Sequence, residues 1–202
     1  MRVGLTAKRL VDAGAKLADE AGFEAVTPTA LAGIFGVKVA SLYSHIANAD
    51  ELKTRVSLLA LDRLADRATD AVAGRSGKDA LLAFADAHRD FAKSHPGQFA
   101  AARHPLSSEA AMRSGGVRLS TLTRSVLRGY RLEDVAEVHA VRLIGSFILG
   151  FVMLEASGGF IHSQPSSDVS WRASLDALHD MVSSLPTVGD RTRSNATKEG
   201  AR

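Results

Sequence analysis

Two sets of residues in this chain have types and spacings suited to chemistry. The first is the run KVASLYSHI, residues 38–46. Read as a helix, it places Lys38, Ala40, Ser41, Ser44 and His45 on one face, with Tyr43 at its margin. Val39, Leu42 and Ile46 share the opposite face. Hydroxyl donors beside one permanent cation suit phosphate oxygens and base edges, and Ala40 suits a thymine methyl. The second set is Phe84, His88 and Phe91 on one predicted helix and His139, Phe147 and Met153 on another. A mainly apolar lining with two imidazole anchors fits a small-molecule cavity. The same residues also fit plain core packing, and Glu155 fits a structural hydrogen bond as well as a ligand contact. Seven histidines are present and no cysteine. They form no HExxH, no close His/Asp/Glu metal set and no nucleophile motif, and no glycine-rich phosphate loop follows a strand. The expectation is a binding protein rather than an enzyme, with no cofactor and no metal.

The elements that must hold these residues read as helices throughout. Leu10, Ala13, Leu17 and Ala21 give a first helix over 6–21 one apolar face. Gly22 stops it and Phe23 packs back. Thr27-Pro28 opens a second helix, with threonine as acceptor for free N–H groups and proline at the first helical position. A third helix spans 38–46. Asn48-Ala-Asp50 caps a long fourth to about Ala73. Further helices are expected over 78–94, a short stretch after His95-Pro96-Gly97, 107–129 with a kink at Gly115-Gly116, 133–157 and 168–185. The run LIGSFILGFVML, 143–154, is too short to span a membrane, which needs about 20 residues. It reads as a helix buried on both sides, one side against a second subunit.

Helices two and three are short and joined around Gly36, the layout of a helix-turn-helix. Ala32 is small where the helices approach, Gly36 takes positive φ, Val37 plugs the corner and Leu42 packs inward. The second helix of such a motif lies in the major groove. Thr27 offers backbone N–H groups to a phosphate.

With AGFEAVTPTALAGIFGV, then SLYSHI, then NADEL in place, residues 6–56 resemble the DNA-binding domain of the TetR family of bacterial transcriptional regulators. The segments HPGQFAAA (95–102) and ILGFVMLEASGGF (148–160) resemble the ligand-binding domain of one subgroup. The resemblance implies an all-helical homodimer whose two recognition helices enter successive major grooves, with a C-terminal domain that binds a small molecule. The chain departs from the family pattern at four positions. Lys38 stands where Ser or Thr is usual, Ile46 where an aromatic is common, Ala49 where lysine is common and Leu149 where the subgroup has histidine. Lys53, one turn after Ala49, is the expected substitute phosphate contact.

Net charge is +3 over 202 residues, but residues 1–50 carry five basic and five acidic groups. The basic footprint of a nucleic-acid binder is therefore weak at the motif itself, and DNA affinity should depend only modestly on salt. The six arginines of 100–131 read as a solvated face, and 132–185 is acidic. The resulting expectation is an all-α chain: residues 1–50 a helix-turn-helix domain, 51–185 a larger helical effector and dimerisation domain, 186–202 a disordered tail. Its partners are double-stranded DNA, a second copy and an unidentified effector, in the cytoplasm and without a membrane. The expected function is a ligand-responsive repressor reading a palindromic operator. The alternatives are an activator of the same fold and a helical protein-binding adaptor.

Overall fold

A computed structural model describes residues 5–188, and the described chain is helical with one isolated bridge, between Leu132 and Thr187. The helices are α1 (Ala7–Ala21), α2 (Pro28–Phe35), α3 (Ala49–Val72), α4 (Gly77–Ser94), α5 (Pro96–Ala101), α6 (Ser108–Met112), α7 (Gly115–Leu127), α8 (Asp134–Ala156) and α9 (Ser167–Ser183). Three 3-10 turns complete them, at Phe23–Ala25, Val39–Ser44 and Arg128–Tyr130. Two compact units form. One holds the residues up to Arg67 with Asp90–Leu119; the other holds Ala68–Arg89 and the residues from Ser120 onward.

The core of the first unit joins Leu10, Ala15 and Ala18 of α1 to Phe23, Val26, Leu31, Leu42, Ile46, Leu52 and Val56. The buried stripe of α1 includes Gly14 and Ala15, while the expected Ala13 and Leu17 are only half-buried. Gly14 has a packing reason: a Cβ there would lie 2.8 Å from Val56 Cγ2. A second close approach joins α5 to α1, where a Cβ on Gly97 would lie 1.8 Å from the Ala18 carbonyl oxygen. Polar groups lock this contact. Asp19 accepts from the Gln98 backbone N–H at 2.9 Å, from Gln98 Nε2 at 2.6 Å and from His95 Nδ1 at 2.9 Å. Gln98 Oε1 accepts from Arg63 at 2.7 Å, and Arg63 also donates to Asp12 at 3.2 Å. Since Arg63 only donates and Asp19 only accepts, the Gln98 amide has one satisfied orientation.

In the second unit, α8 buries Ala136, Ala140, Ile144, Ile148 and Val152, a single stripe at intervals of four. The side of α8 expected to meet a second subunit is open among the described residues: Val135, Leu149, Met153 and Leu154 are exposed on α8, and Val169 and Met181 on α9. The whole helix, longer than the apolar run 143–154 within it, has 23 residues. By length and composition α8 could cross a membrane, with mean hydropathy 1.7 over its most apolar window, of which 28% is buried. Beneath the buried stripe, Arg89 stacks over Trp171 at 5.2 Å and Phe151 at 5.9 Å. Its guanidinium grips Glu155 through two nitrogens and Asp168 at 2.6 Å. These carboxylates raise the pKa of Arg89 despite its burial. Trp171 Nε1 donates to Asp86 at 2.7 Å. Of the stretch from 186 expected to be a tail, Pro186 accepts from Glu133 N–H at 3.1 Å and Val188 N–H donates to Arg131 at 3.1 Å. Residues 189–202 lie outside those described, as do residues 1–4.

Candidate nucleic-acid interface

Thr27 opens α2 from an extended backbone conformation, its hydroxyl accepting from Ala30 N–H at 3.2 Å, with Pro28 at the first helical position. That single bond satisfies one of the free N–H groups at the helix start. At the other end, Gly36 sits at φ 63°, ψ 37°, the left-handed conformation that glycine adopts without Cβ strain. Gly36 N–H reaches Gly33 O at 3.2 Å and Val37 N–H reaches Ala32 O at 3.0 Å. This paired arrangement closes the helix and turns the chain. Val37 does not plug the corner as expected; it is 39% exposed. Ala32, Leu31 and Leu42 fill the interior instead.

The segment expected to be the recognition helix is a 3-10 helix over Val39–Ser44, shorter and tighter than the helix expected over 38–46. Lys38 occupies the cap position and makes no side-chain hydrogen bond to the helix start. The two faces nevertheless separate as expected. Leu42 and Ile46 are buried and Val39 packs half-buried on the core, whereas Lys38, Ala40, Ser41, Tyr43 and Ser44 are exposed. Ser44 donates its hydroxyl to Ser41 O at 2.8 Å. His45 is half-buried, and its carbonyl accepts from Arg55 at 3.1 Å. Asn48 then caps α3 by accepting from Glu51 N–H at 2.8 Å, and Glu51 reaches back to Ala47 N–H.

Charge at this surface is largely spent internally. Lys8 pairs with Asp12, Lys16 with Glu20 and Arg55 with Glu51, while Arg9 lies over the Phe35 ring. Lys53, the expected phosphate contact, binds Glu24 at 2.5 Å and lies over the Phe23 ring at 5.3 Å. That lysine holds the Glu24 carboxyl below the usual carboxylate range. Among the described residues up to Arg55, Lys38 is the one cation with no side-chain partner.

The cavity candidates are divided between the two compact units. Phe84 and His88 stack at 4.4 Å, and His88 Nδ1 donates to Phe84 O at 2.8 Å. Burial lowers the His88 pKa, so the ring is neutral, with Nε2 as its acceptor. Phe147 stacks on Trp171 at 5.6 Å. Phe91 belongs to the first unit and packs on His95. His139 and Met153 are exposed on the outer side of α8. Periodicity along the chain gave no sign of Arg89, whose partners lie 66 and 79 residues away. Among the described residues, no three His, Asp or Glu side chains gather as a metal site.

Comparisons with known proteins accord with this geometry. Residues 81–178 match the family described as Tetracyclin repressor-like, C-terminal domain. The uncharacterised HTH-type transcriptional regulator YobS of Bacillus subtilis is 33% identical over 160 residues, covering 79% of this chain and 83% of that protein. The uncharacterised HTH-type transcriptional regulator Rv0681 of Mycobacterium tuberculosis is 30% identical over 156 residues, 76% of this chain and 72% of its own length. The fold is shared with BioQ, crystallised with its double-stranded DNA operator, at TM-score 0.63 and 24% identity, over 90% of this chain and 99% of that one. A capped α2, a left-handed glycine turn and an outward polar segment, joined to a chain of this relatedness, place the protein in the TetR family of helix-turn-helix transcriptional regulators.

Proposed function

We propose that this chain is a homodimeric, ligand-responsive repressor that reads a palindromic operator in double-stranded DNA. The observation that carries the reading is the exposed face Lys38–His45, set outward by the Gly36 turn and by burial of Leu42 and Ile46. Residues 1–50 form its DNA-binding domain and 51–185 its effector and dimerisation domain. Lys38, Ala40 and Ser41 reach base edges, with Val39 beside them. Tyr43, Ser44, His45 and the N–H groups after Thr27 hold phosphates and set register. Lys53 joins them by exchanging Glu24 for a phosphate. The operator complex of BioQ supports this use of the fold.

The outer face of α8 and α9 supports dimerisation. Exposed Leu149, Met153, Leu154, Val169 and Met181 offer apolar area, and a Cβ at Gly145 or Gly150 would meet nothing within 4 Å among the described residues, so a second copy can approach closely there. Such a dimer presents two recognition segments to successive major grooves, about 34 Å apart. The effector site draws on Phe84, His88 and Phe147. An effector acts by binding more tightly to the subunit spacing that does not fit DNA. Such a regulator works in the cytoplasm.

Genome-wide capture of bound DNA, followed by gel-shift titration of a captured fragment, tests the reading. Discrete sites with two-fold symmetric half-sites are expected. Capture without enrichment, or a monomer in sedimentation at concentrations that saturate DNA, contradicts it.

A further inference from the structure

The face that turns outward at the helix-turn-helix carries aliphatic side chains beside its polar ones. Ile34, in the last turn of α2, is 56% exposed, and Val37, in the connecting turn, is 39% exposed. Ala40 is exposed in the 3-10 helix that follows. These residues recur at three-residue intervals along a segment whose backbone is fixed, because Val37 N–H is bonded to Ala32 O at 3.0 Å. Polar reading groups are few. The Ser44 hydroxyl proton is committed to Ser41 O, and the His45 backbone N–H to Leu42 O. No arginine, asparagine or glutamine, the side chains that read guanine and adenine through paired hydrogen bonds, occurs between Ile34 and Ile46. Lys38, Ser41 and Tyr43 remain for hydrogen bonding, the first two directly beside Val37 and Ala40 in the chain.

We infer that Ile34 and Val37, continuous with Ala40, form an apolar reading edge that recognises thymine C5-methyl groups in the major groove. The inference rests on the proposal that this face enters DNA. The thymine methyl is the apolar group that the major groove displays, so an aliphatic edge there discriminates by fit and desolvation rather than by hydrogen bonds. Single exposed aliphatics are ordinary on protein surfaces. Two branched ones just ahead of the unpartnered cation of a DNA-reading segment have an occupant whose chemistry matches both, a phosphate-bearing duplex with methyl groups on its base edges.

The test uses purified full-length protein to select binding duplexes from a random library. The selected duplex is then synthesised with deoxyuridine replacing each thymidine in turn, which removes only the methyl group. Loss of a contacted methyl should weaken wild-type binding about fourfold. In Ile34→Ala or Val37→Ala the same deoxyuridine substitution should cost much less, since the contact is already gone. Tight selected binding that no deoxyuridine weakens, or equal losses in wild type and both variants, overturns the inference and leaves the DNA-reading proposal standing. Selection of no sequence at all removes that proposal and this inference with it.

Discussion

Gly36 and Gly97 resist replacement for different physical reasons. At Gly36 a Cβ would meet nothing within 4 Å, so alanine there costs only the left-handed backbone conformation, about 1–2 kcal/mol. At Gly97 a Cβ would lie 1.8 Å from the oxygen and 2.0 Å from the carbon of the Ala18 carbonyl. Those are backbone atoms and cannot rotate away, so α5 must withdraw from α1 by roughly 1.5 Å to restore contact distances. Overpacking of this kind costs about 1–3 kcal/mol. Withdrawal also stretches the Gln98 bonds to Asp19, now 2.9 and 2.6 Å, and bonds to a charged acceptor contribute about 1.5–3 kcal/mol each. Gly97→Ala should therefore lose about 3–5 kcal/mol, against about 1–2 for Gly36→Ala, while Gly36→Asn should cost less because asparagine tolerates the left-handed region. Urea unfolding at one fixed protein concentration measures all three, concentration being held because the proposed dimer would add to apparent stability. Equal losses at Gly97 and Gly36, or a larger loss at Gly36, would refute the close α1–α5 contact.

Freeing Lys53 with Glu24→Gln should tighten DNA binding and steepen the slope of log affinity against log salt by about 0.9 per subunit, one added phosphate contact; an unchanged slope means Lys53 does not reach DNA. Glu155→Gln should destabilise the chain by about 3 kcal/mol, because it leaves the Arg89 guanidinium buried with too little compensation. Asp168→Asn should cost under about 1 kcal/mol, its carboxylate being 75% exposed; thermal unfolding of the pair checks the order. The Ala47 N–H and Arg55 hold the Glu51 carboxyl below its ordinary value of 4.5. Its contribution to folding is thus complete above pH 4.5 and is lost as pH falls through the lowered folded value. Glu51→Gln should flatten that part of an acid-unfolding profile.

The helix-turn-helix was legible in sequence because its signals are local. Thr27-Pro28, Gly36 and Asn48 each act on backbone within a few residues, and each occupies the cap or turn expected of it. Features that depend on distant partners were not legible. Periodicity identified α8 as apolar but not that one stripe alone is covered within the chain. It aligned Phe84, His88 and Phe91 on one side of α4, yet Phe91 packs on His95 in the other unit. Lys53 read as a free cation because Glu24 is 29 residues away. Val37 read as a plug because an aliphatic beside a turn is usually inward. Here Ala32, Leu31 and Leu42 already fill that space.

Tyr43 and Lys38 are both exposed and make no side-chain bond within the described residues, so replacing them should leave the fold intact and change only what the surface can bind. A fluorescence-anisotropy titration of a captured operator with the Lys38→Ala, Tyr43→Phe double variant therefore tests the assigned reading face most directly. Affinity at least tenfold below wild type, with an unchanged unfolding midpoint, is the expected result. Wild-type affinity in the double variant would contradict it and move DNA recognition to another surface.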